Sequence, residues 1–385
     1  MLRRLPTSRL LALLATVLVV LGGGTAIAVA AIGGSGATPP PRPLAQALHD
    51  AVTAPAVQGV TARIAFTNHL VDTGSLPQGS TTPLLTGATG RLWASADGRV
   101  RLELQSDRGD AQITSDGRTI TILDSSRQAA YRITLPQRQE KTDTGKAAPS
   151  VADIQGLLAR VAATADVGAA TPSNVAGRPA YTVRISPKHD GGLTNAAELA
   201  WDAATGTPLR AAVYASGDSK PVLSLEATDI SFGPVSASDL AAPLPSGVKV
   251  TDLNMAGGHG PATAGPQVTG VGPVSARLSF RLAAPATLVG LPRHDVRLVE
   301  TDGTKGALVT YGAGLGGIAI LEQPATGAKP GESPLPLPKV SIGGVDGQEL
   351  ATALGTVVRV ERDGVAYTIV GSVPPAAAEA AARGL

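Results

Sequence analysis

Cysteine is absent from the 385-residue chain, and aromatic residues make up only 3% of it. The lack of cysteine excludes thiol catalysis, thiolate metal sites, disulfide scaffolds and a lipid anchor attached to an N-terminal cysteine. Charged residues are also few, at 16%, and the formal net charge is +2. No basic run interleaved with aromatics follows the pattern of a nucleic-acid backbone site. We therefore expect no nucleic-acid partner.

Glycine and proline are plentiful, with 46 and 30 residues. This load stays below that of a disordered or low-complexity chain, and 43% of the residues are hydrophobic, which is enough for a packed core. The composition excludes a collagen or a coiled coil. Its richness in alanine and arginine is typical of a high-GC actinobacterium.

An export signal occupies the N-terminus. Arg3, Arg4 and Arg9 precede an apolar stretch from Leu10 to Ile32, and the next charged residue is Arg42. The 23-residue stretch is longer than the apolar region of a cleavable signal and long enough to span a bilayer. A glycine triplet at 22–24 and small-x-small sites at 26–30 are features of a cleaved signal, so we expect residues 1–32 to be a signal peptide or an N-terminal transmembrane anchor, and we favour the retained anchor. In both cases the rest of the chain is extracytoplasmic, in the cell envelope if tethered by this single helix and secreted otherwise.

The remaining chain divides into four parts. Residues 33–43 contain four prolines and predict an extended spacer that holds the following domain off the membrane. A glycine- and proline-rich stretch without apolar periodicity predicts a linker at 256–267. The two domains are therefore expected at 44–255 and 268–385.

The first domain shows the two-residue period of half-buried strands. Val100, Leu102 and Leu104 alternate with charged residues, and Asp-Gly pairs at 97–98 and 116–117 predict hairpin turns. A helix is predicted over 43–52, and another begins after Ser150, where Asp153 completes a capping box. The fold class is thus mainly β (α+β), an antiparallel meander with one apolar face that amphipathic helices can cover.

The second domain shows the same pattern of short strands and short helices. Strands are predicted near 276–282, 295–300, 307–311, 318–322, 356–361 and 366–370, and short helices at 347–354 and 376–383. The stretch from Gly312 to Gly317 has the letters of a dinucleotide fingerprint, but the following residues resemble a returning strand, so a glycine-rich hairpin is favoured.

No motif predicts catalysis or a metal site. The tripeptide Arg108-Gly109-Asp110 is expected as a turn, and the five histidines are too far apart for a local metal motif. Gly-x-Ser-x-Gly and Ser-x-x-Lys are not found where a strand meets a helix. We expect a non-enzymatic protein without a cofactor or a metal.

Several segments in order resemble the lipoprotein carrier LolA and the related N-terminal domain of RseB (MucB) proteins. The similarity covers about residues 42–252, and the segments that carry it are 90–93, 99–105, 115–124, the helix at Ser150, and Trp201 to Leu209. The tail resembles the C-terminal domain of RseB-like proteins at 280–291, 343–347 and 362–372. The resemblance implies a LolA-like half-barrel sheet covered by helices, followed by a smaller β-rich α+β domain.

The resemblance implies a binding protein whose apolar concavity receives acyl chains of lipids or lipoproteins, or an amphipathic peptide. The alternative is an RseB-like regulator of envelope-stress sigma-factor signalling, which contacts an anti-sigma factor or another membrane protein. A face that is wholly filled by its own core stays open as a third interpretation. The residues predicted to line the concavity are Leu92, Val100, Leu102, Leu104, Ile120, Ile122, Tyr131, Ile133, Val183 and Trp201.

Overall fold

The computed structural model of the chain describes residues 37–72, 82–135, 148–188, 192–254, 268–301, 303–325 and 338–385. The expected signal peptide or anchor at 1–32, the expected linker at 256–267, and two of the histidines, His189 and His259, lie outside the described residues. Within the described ranges, no helix has the length and apolar character needed to cross a bilayer.

The first domain forms one sheet of 13 described strands. They are β1 (Gly59–Asn68), β2 (Ala88–Ser95), β3 (Val100–Ser106), β4 (Gly109–Ser115), β5 (Thr119–Asp124), β6 (Ala129–Thr134), β7 (Ala165–Val167), β8 (Thr171–Val175), β9 (Arg178–Pro187), β10 (Thr194–Asp202), β11 (Pro208–Ala215), β12 (Leu223–Phe232) and β13 (Lys249–Asn254).

The strands of this sheet follow one continuous order. Neighbours follow as β13-β6-β5-β4-β3-β2-β1-β12-β11-β10-β9-β7, and β8 pairs with β9. Of the described pairings in this sheet, only β13 with β6 is parallel. Gly98 and Gly117 have φ angles of 83° and 84°, which tight turns need and L side chains avoid. The expected mainly β fold with an antiparallel half-barrel sheet is confirmed.

Four short helices accompany this sheet within the described residues. They are α1 (Leu44–Thr53), α2 (Pro83–Thr86), α3 (Val151–Val161) and α4 (Ala237–Leu240). The predicted capping box of α3 is present, since Ser150 Oγ accepts from the Asp153 N–H and the Asp153 side chain accepts from the Ser150 N–H. α1 packs against β9 and β10, and α2 lies over β1, β3 and β4.

Part of the expected spacer is docked on the first domain. Pro39 is buried, the Asn174 side chain donates to Ala37 O over 3.0 Å, and the Tyr181 hydroxyl donates to Pro40 O over 2.7 Å. Residues 37–43 therefore run along the sheet, so this half of the segment does not extend away from the domain as the sequence predicted.

The second domain is an antiparallel sheet of eight described strands in the order β14-β15-β16-β17-β21-β20-β19-β18. They are β14 (Thr287–Leu288), β15 (Leu291–Thr301), β16 (Thr304–Tyr311), β17 (Ile318–Pro324), β18 (Lys339–Ile342), β19 (Val345–Thr352), β20 (Gly355–Arg362) and β21 (Val365–Gly371). Two helices, α5 (Val271–Ser275) and α6 (Pro375–Arg383), pack on it. On α6, the residues Ala378, Ala381 and Ala382 are completely buried.

Two predictions in the second domain are wrong. The predicted helix at 347–354 is mostly strand β19, which pairs with both β18 and β20. The predicted strand at 276–282 has no ladder partner. The side chains of Leu278, Phe280 and Leu282 lie on one side of this segment and pack on the core face of the sheet, so the segment covers the sheet and does not join it. Alternation there reflects burial of one side of an irregular segment.

The two domains touch through backbone hydrogen bonds. At the tip of the β9–β10 hairpin, the Leu193 N–H donates to both Ser372 O and Ser372 Oγ, each over 3.0 Å. The Ala353 N–H donates to Leu70 O over 2.8 Å. Among the described residues, these hydrogen bonds hold the second domain against the first at Leu193 and at Leu70.

Candidate functional site

The inner face of the half-barrel is defined by residues that lie directly opposite one another on successive strands. Such residues share one face of a sheet. One complete inner row crosses seven strands and consists of Ile230, Ala62, Leu92, Leu102, Ile113, Ile122 and Tyr131. The next row contains Val60, Ala94, Val100, Ser115, Ile120 and Ile133. These rows carry most of the predicted site residues on one face.

Half of this face is filled by its own side chains. Leu102, Leu104, Ile120, Ile122 and Ile133 are each exposed by 2% or less, and they form one cluster with Leu84 of α2. Close-packed side chains leave no space for a ligand. The strands from β3 to β6 therefore form a packed core.

The other half encloses a cavity of about 470 Å³. Its wall comes from β1, β2, β11, β12, the start of β3, and the loop at 54–57 after α1. The side chains that line it include Ala62, Ala94, Ala211, Ala227, Leu92 and Val100. Alanine occurs among the lining residues on β1, β2, β11 and β12, and its small side chain leaves more open space than leucine or isoleucine would.

Few polar side chains border this cavity, and they are engaged elsewhere. Arg210 pairs with Glu198 over 3.1 Å and with Glu226 over 3.3 Å, and it also donates to the Tyr214 hydroxyl. Ser95 Oγ donates to Asp97. Thr207 Oγ1 accepts from the Thr205 hydroxyl over 2.9 Å. The wall thus suits an apolar group better than one that needs hydrogen bonds.

The predicted site residues fall into three groups. Leu92 and Val100 line the cavity. Leu102, Leu104, Ile120, Ile122 and Ile133 lie in the packed half, with half-buried Tyr131 against them. Val183 and Trp201 belong to a separate cluster under α1, which includes Ala47 and Tyr181. Burial raises the pKa of the Tyr181 phenol, whose ring centroid is 6.1 Å from that of Trp201.

Sequence reasoning missed the alanines and the 54–57 loop. Alternation reveals which residues share a face, but a small side chain gives no hydrophobic peak of its own. The register of β1 against β2 and β12 places Ala62, Ala94 and Ala227 on the inner face. This strand register cannot be read from the sequence alone, which is why these residues were not predicted.

The other motifs have structural roles. Arg108 lies in the turn between β3 and β4, and Gly109 begins β4, where it pairs with Ser106. The stretch from Gly312 to Gly317 joins β16 to β17 as a hairpin, as predicted. Gly312 and Gly314 have φ angles of 71° and 67°. No group of three or more potential metal ligands is found among the described residues.

No protein-family model and no curated protein matches the chain. Among solved structures, it is similar to MucB in complex with MucA(peri), with 19% identity, 88% of this chain and 94% of that chain covered, and a TM-score of 0.40. The MucA/MucB complex of Pseudomonas aeruginosa gives 20% identity, the same coverage and a TM-score of 0.41. An uncharacterized conserved protein from Thermus thermophilus has 10% identity, with 55% of this chain and 97% of that chain covered, and a TM-score of 0.34. Likenesses of this size assign neither a family nor a function.

Proposed function

We propose that the chain is a non-enzymatic extracytoplasmic binding protein whose inner-face cavity receives an apolar chain. The candidate ligands are an acyl chain of a lipid or lipoprotein, or apolar side chains of an amphipathic peptide. The observation that carries this proposal is the 470 Å³ cavity, whose wall is mainly apolar. Its volume falls within the range of small-molecule pockets.

Burial of apolar surface would supply the binding free energy. Each buried methylene contributes about 0.8 kcal/mol. A charged or strongly polar ligand group would lose its hydration without a free partner, because the bordering Ser95, Thr207 and Arg210 are already engaged. The polar end of the ligand is therefore expected to stay outside the cavity.

The predicted extracytoplasmic location fits such a ligand. The three arginines before the apolar stretch at 10–32 predict export, so lipids, lipoproteins and exposed peptides of the envelope would be accessible.

Ligand extraction tests this proposal. The chain is expressed without its first 36 residues, purified without detergent and extracted with organic solvent for mass spectrometry. We expect fatty-acyl species or an apolar peptide in near-stoichiometric amount. The variant Ala94→Leu, which places a larger side chain in the cavity, should carry less. Equal, trace amounts from both proteins would contradict the proposal.

The second candidate function is an RseB-like regulator of envelope-stress signalling. The observation that favours it is the docked second domain, joined through Leu193 to Ser372 and through Ala353 to Leu70, which a single-domain carrier does not need. MucB has been crystallised in complex with MucA(peri). By analogy, the partner here would be the extracytoplasmic part of a membrane-bound anti-sigma factor. Co-elution with such an ectodomain in gel filtration would support this function, and separate elution would contradict it.

A further inference from the structure

A buried carboxyl group lies in the second domain, far along the chain from the cavity residues. Glu322 on β17 is completely buried, between Ala307 of β16 and Tyr367 of β21 on the core face of the sheet. Its Oε2 accepts from the Ala283 N–H over 2.9 Å, whereas Oε1 has no hydrogen-bond partner among the described residues. A buried carboxylate without a counter-ion is costly, so the proton-bound form suits this position.

The segment 279–285, which Glu322 contacts, has few other hydrogen bonds. Residues 279–285 are irregular, and within the described chain they form no backbone–backbone hydrogen bond. Two side chains hold them, since Glu322 accepts from the Ala283 N–H and Arg293 donates to Ala284 O. Within this segment, the half-buried side chains of Phe280 and Leu282 pack on the core of the second domain. Segments with few backbone hydrogen bonds open more readily than sheet strands.

The surroundings of Glu322 contain titratable groups but no compensating cation for it among the described residues. Tyr367 lies opposite on β21, and Tyr311 lies further along β16 with a buried hydroxyl that has no hydrogen-bond partner in the described chain. Arg293 of β15 acts on Tyr311, while Arg362 and Asp363 act on Tyr367. Burial raises the pKa of Glu322 to about 7, because it outweighs the opposing effect of the Ala283 N–H, which favours the carboxylate. Burial also raises the pKa of Tyr311 to about 12.

We infer that residues 278–286 form a pH-responsive flap of the second domain, which is closed while the Glu322 carboxyl is protonated and is released when it ionises. Opening would let water reach the carboxylate, which is the favourable response to an uncompensated buried charge. It would also expose the apolar side chains of Phe280 and Leu282. This device is independent of the proposed cavity function.

The raised pKa of Glu322 determines whether acid or alkaline pH favours opening of the flap. The pKa of Glu322 in the folded state, about 7, lies above its ordinary value of 4.5. The closed form is therefore fully favoured below pH 4.5 and loses that advantage as the pH rises through about 7. If the open flap returns the group to its ordinary pKa, the opening equilibrium rises by roughly 30-fold between about pH 5.5 and about pH 8.5.

Hydrogen exchange with mass spectrometry on the full chain tests this inference. Exchange of the Ala283 amide, the one amide of residues 279–285 that donates a hydrogen bond among the described residues, is measured at both pH values from overlapping peptides and divided by its intrinsic rate in an unstructured chain. We expect protection of the wild type to fall by roughly 30-fold toward alkaline pH. Glu322→Gln, which keeps an oxygen for the Ala283 N–H and cannot ionise, should stay protected at both pH values.

Glu349→Gln is the matched control, because burial and the neighbouring Glu379 also raise the pKa of Glu349. It should keep the wild-type pH profile. Wild-type protection that does not change with pH overturns the inference, and this outcome needs no variant to fold. A Glu322→Gln protein with the wild-type profile overturns it as well.

Discussion

At the scale of single residues, Leu92 and Leu102 lie directly opposite each other on β2 and β3 but have different surroundings. Leu102 is 2% exposed in the packed half, whereas Leu92 is half-buried at the cavity. Leu102→Ala should cost about 2–5 kcal/mol, because it leaves a new void in a close-packed core. Leu92→Ala should cost clearly less, because the cavity already removes part of its contacts. Urea denaturation of the two variants measures both losses.

Equal losses at the two positions would contradict the division of the inner face into a packed and a hollow half. They would mean that Leu92 is as fully packed as Leu102. The wild-type protein must be measured free of ligand, since a bound apolar chain would stabilise the folded state and mask the difference.

Sequence reasoning could place side chains on a face but could not measure the space above them. The alternation of Val100, Leu102 and Leu104 placed these three residues on one face of β3, and all three are buried. It could not separate Val100, at the cavity, from Leu102, in the core, because that depends on what lies across the face. Leu84 of α2 packs on the half that contains Leu102, whereas Val100 borders the cavity.

At the scale of elements, helix α3 depends on its N-terminal cap. The Asp153 N–H donates to Ser150 Oγ over 3.2 Å, and the Ser150 N–H donates to the Asp153 side chain over 3.0 Å. Ser150→Ala should destabilise the helix by about 1 kcal/mol, because one N-terminal N–H loses its partner. Hydrogen exchange of residues 153–161 measures this loss.

Ser150→Thr is the control, since a threonine hydroxyl can accept the same bond. It should protect the helix nearly as well as serine does. If alanine and threonine behaved alike, the cap would contribute nothing. The hydrogen bonds from Ser150 also lower the pKa of Asp153, so this contribution is present above its ordinary pKa of 3.8 and is lost as the pH falls further.

Elements with local signals were predictable, and elements decided by distant partners were not. The capped helix α3 and the Asp-Gly hairpins carry their own chemistry within a few residues. Most of the predicted helix at 347–354 is part of β19, whose pairing with β18 and β20 overrides local preference. The segment 276–282 alternates as a strand does, but the edge positions it could have filled beside β15 belong to β14 and β16.

At the scale of the whole molecule, the docking of the two domains depends on a glycine. Gly192 has a φ of 59°, and a Cβ at this position would lie 1.9 Å from Ser372 O, which accepts the Leu193 N–H. Gly192→Ala should therefore push the hairpin tip away from the second domain. We expect a larger radius of gyration in small-angle X-ray scattering than for the wild type.

Gly217→Ala separates this effect from backbone strain. Gly217 also has a positive φ, 87°, but a Cβ there meets nothing within 4 Å. Both variants carry the strain of an L residue in the left-handed region, whereas only Gly192→Ala should expand the molecule. The same radius of gyration for the two variants would contradict a docking role for Gly192.

Equilibrium binding of a fluorescent fatty acid measures whether the hollow half of the first domain takes up an apolar chain, as we propose. The wild type should bind the probe saturably at one site. Ala94→Leu should weaken binding by roughly tenfold, since the added side chain takes the space of about two ligand methylenes at about 0.8 kcal/mol each. Ala65→Leu, on the opposite face of β1 between Glu226 and Thr89, should bind as the wild type does. No saturable binding to the wild type, or equal affinity in Ala94→Leu, would contradict the claim.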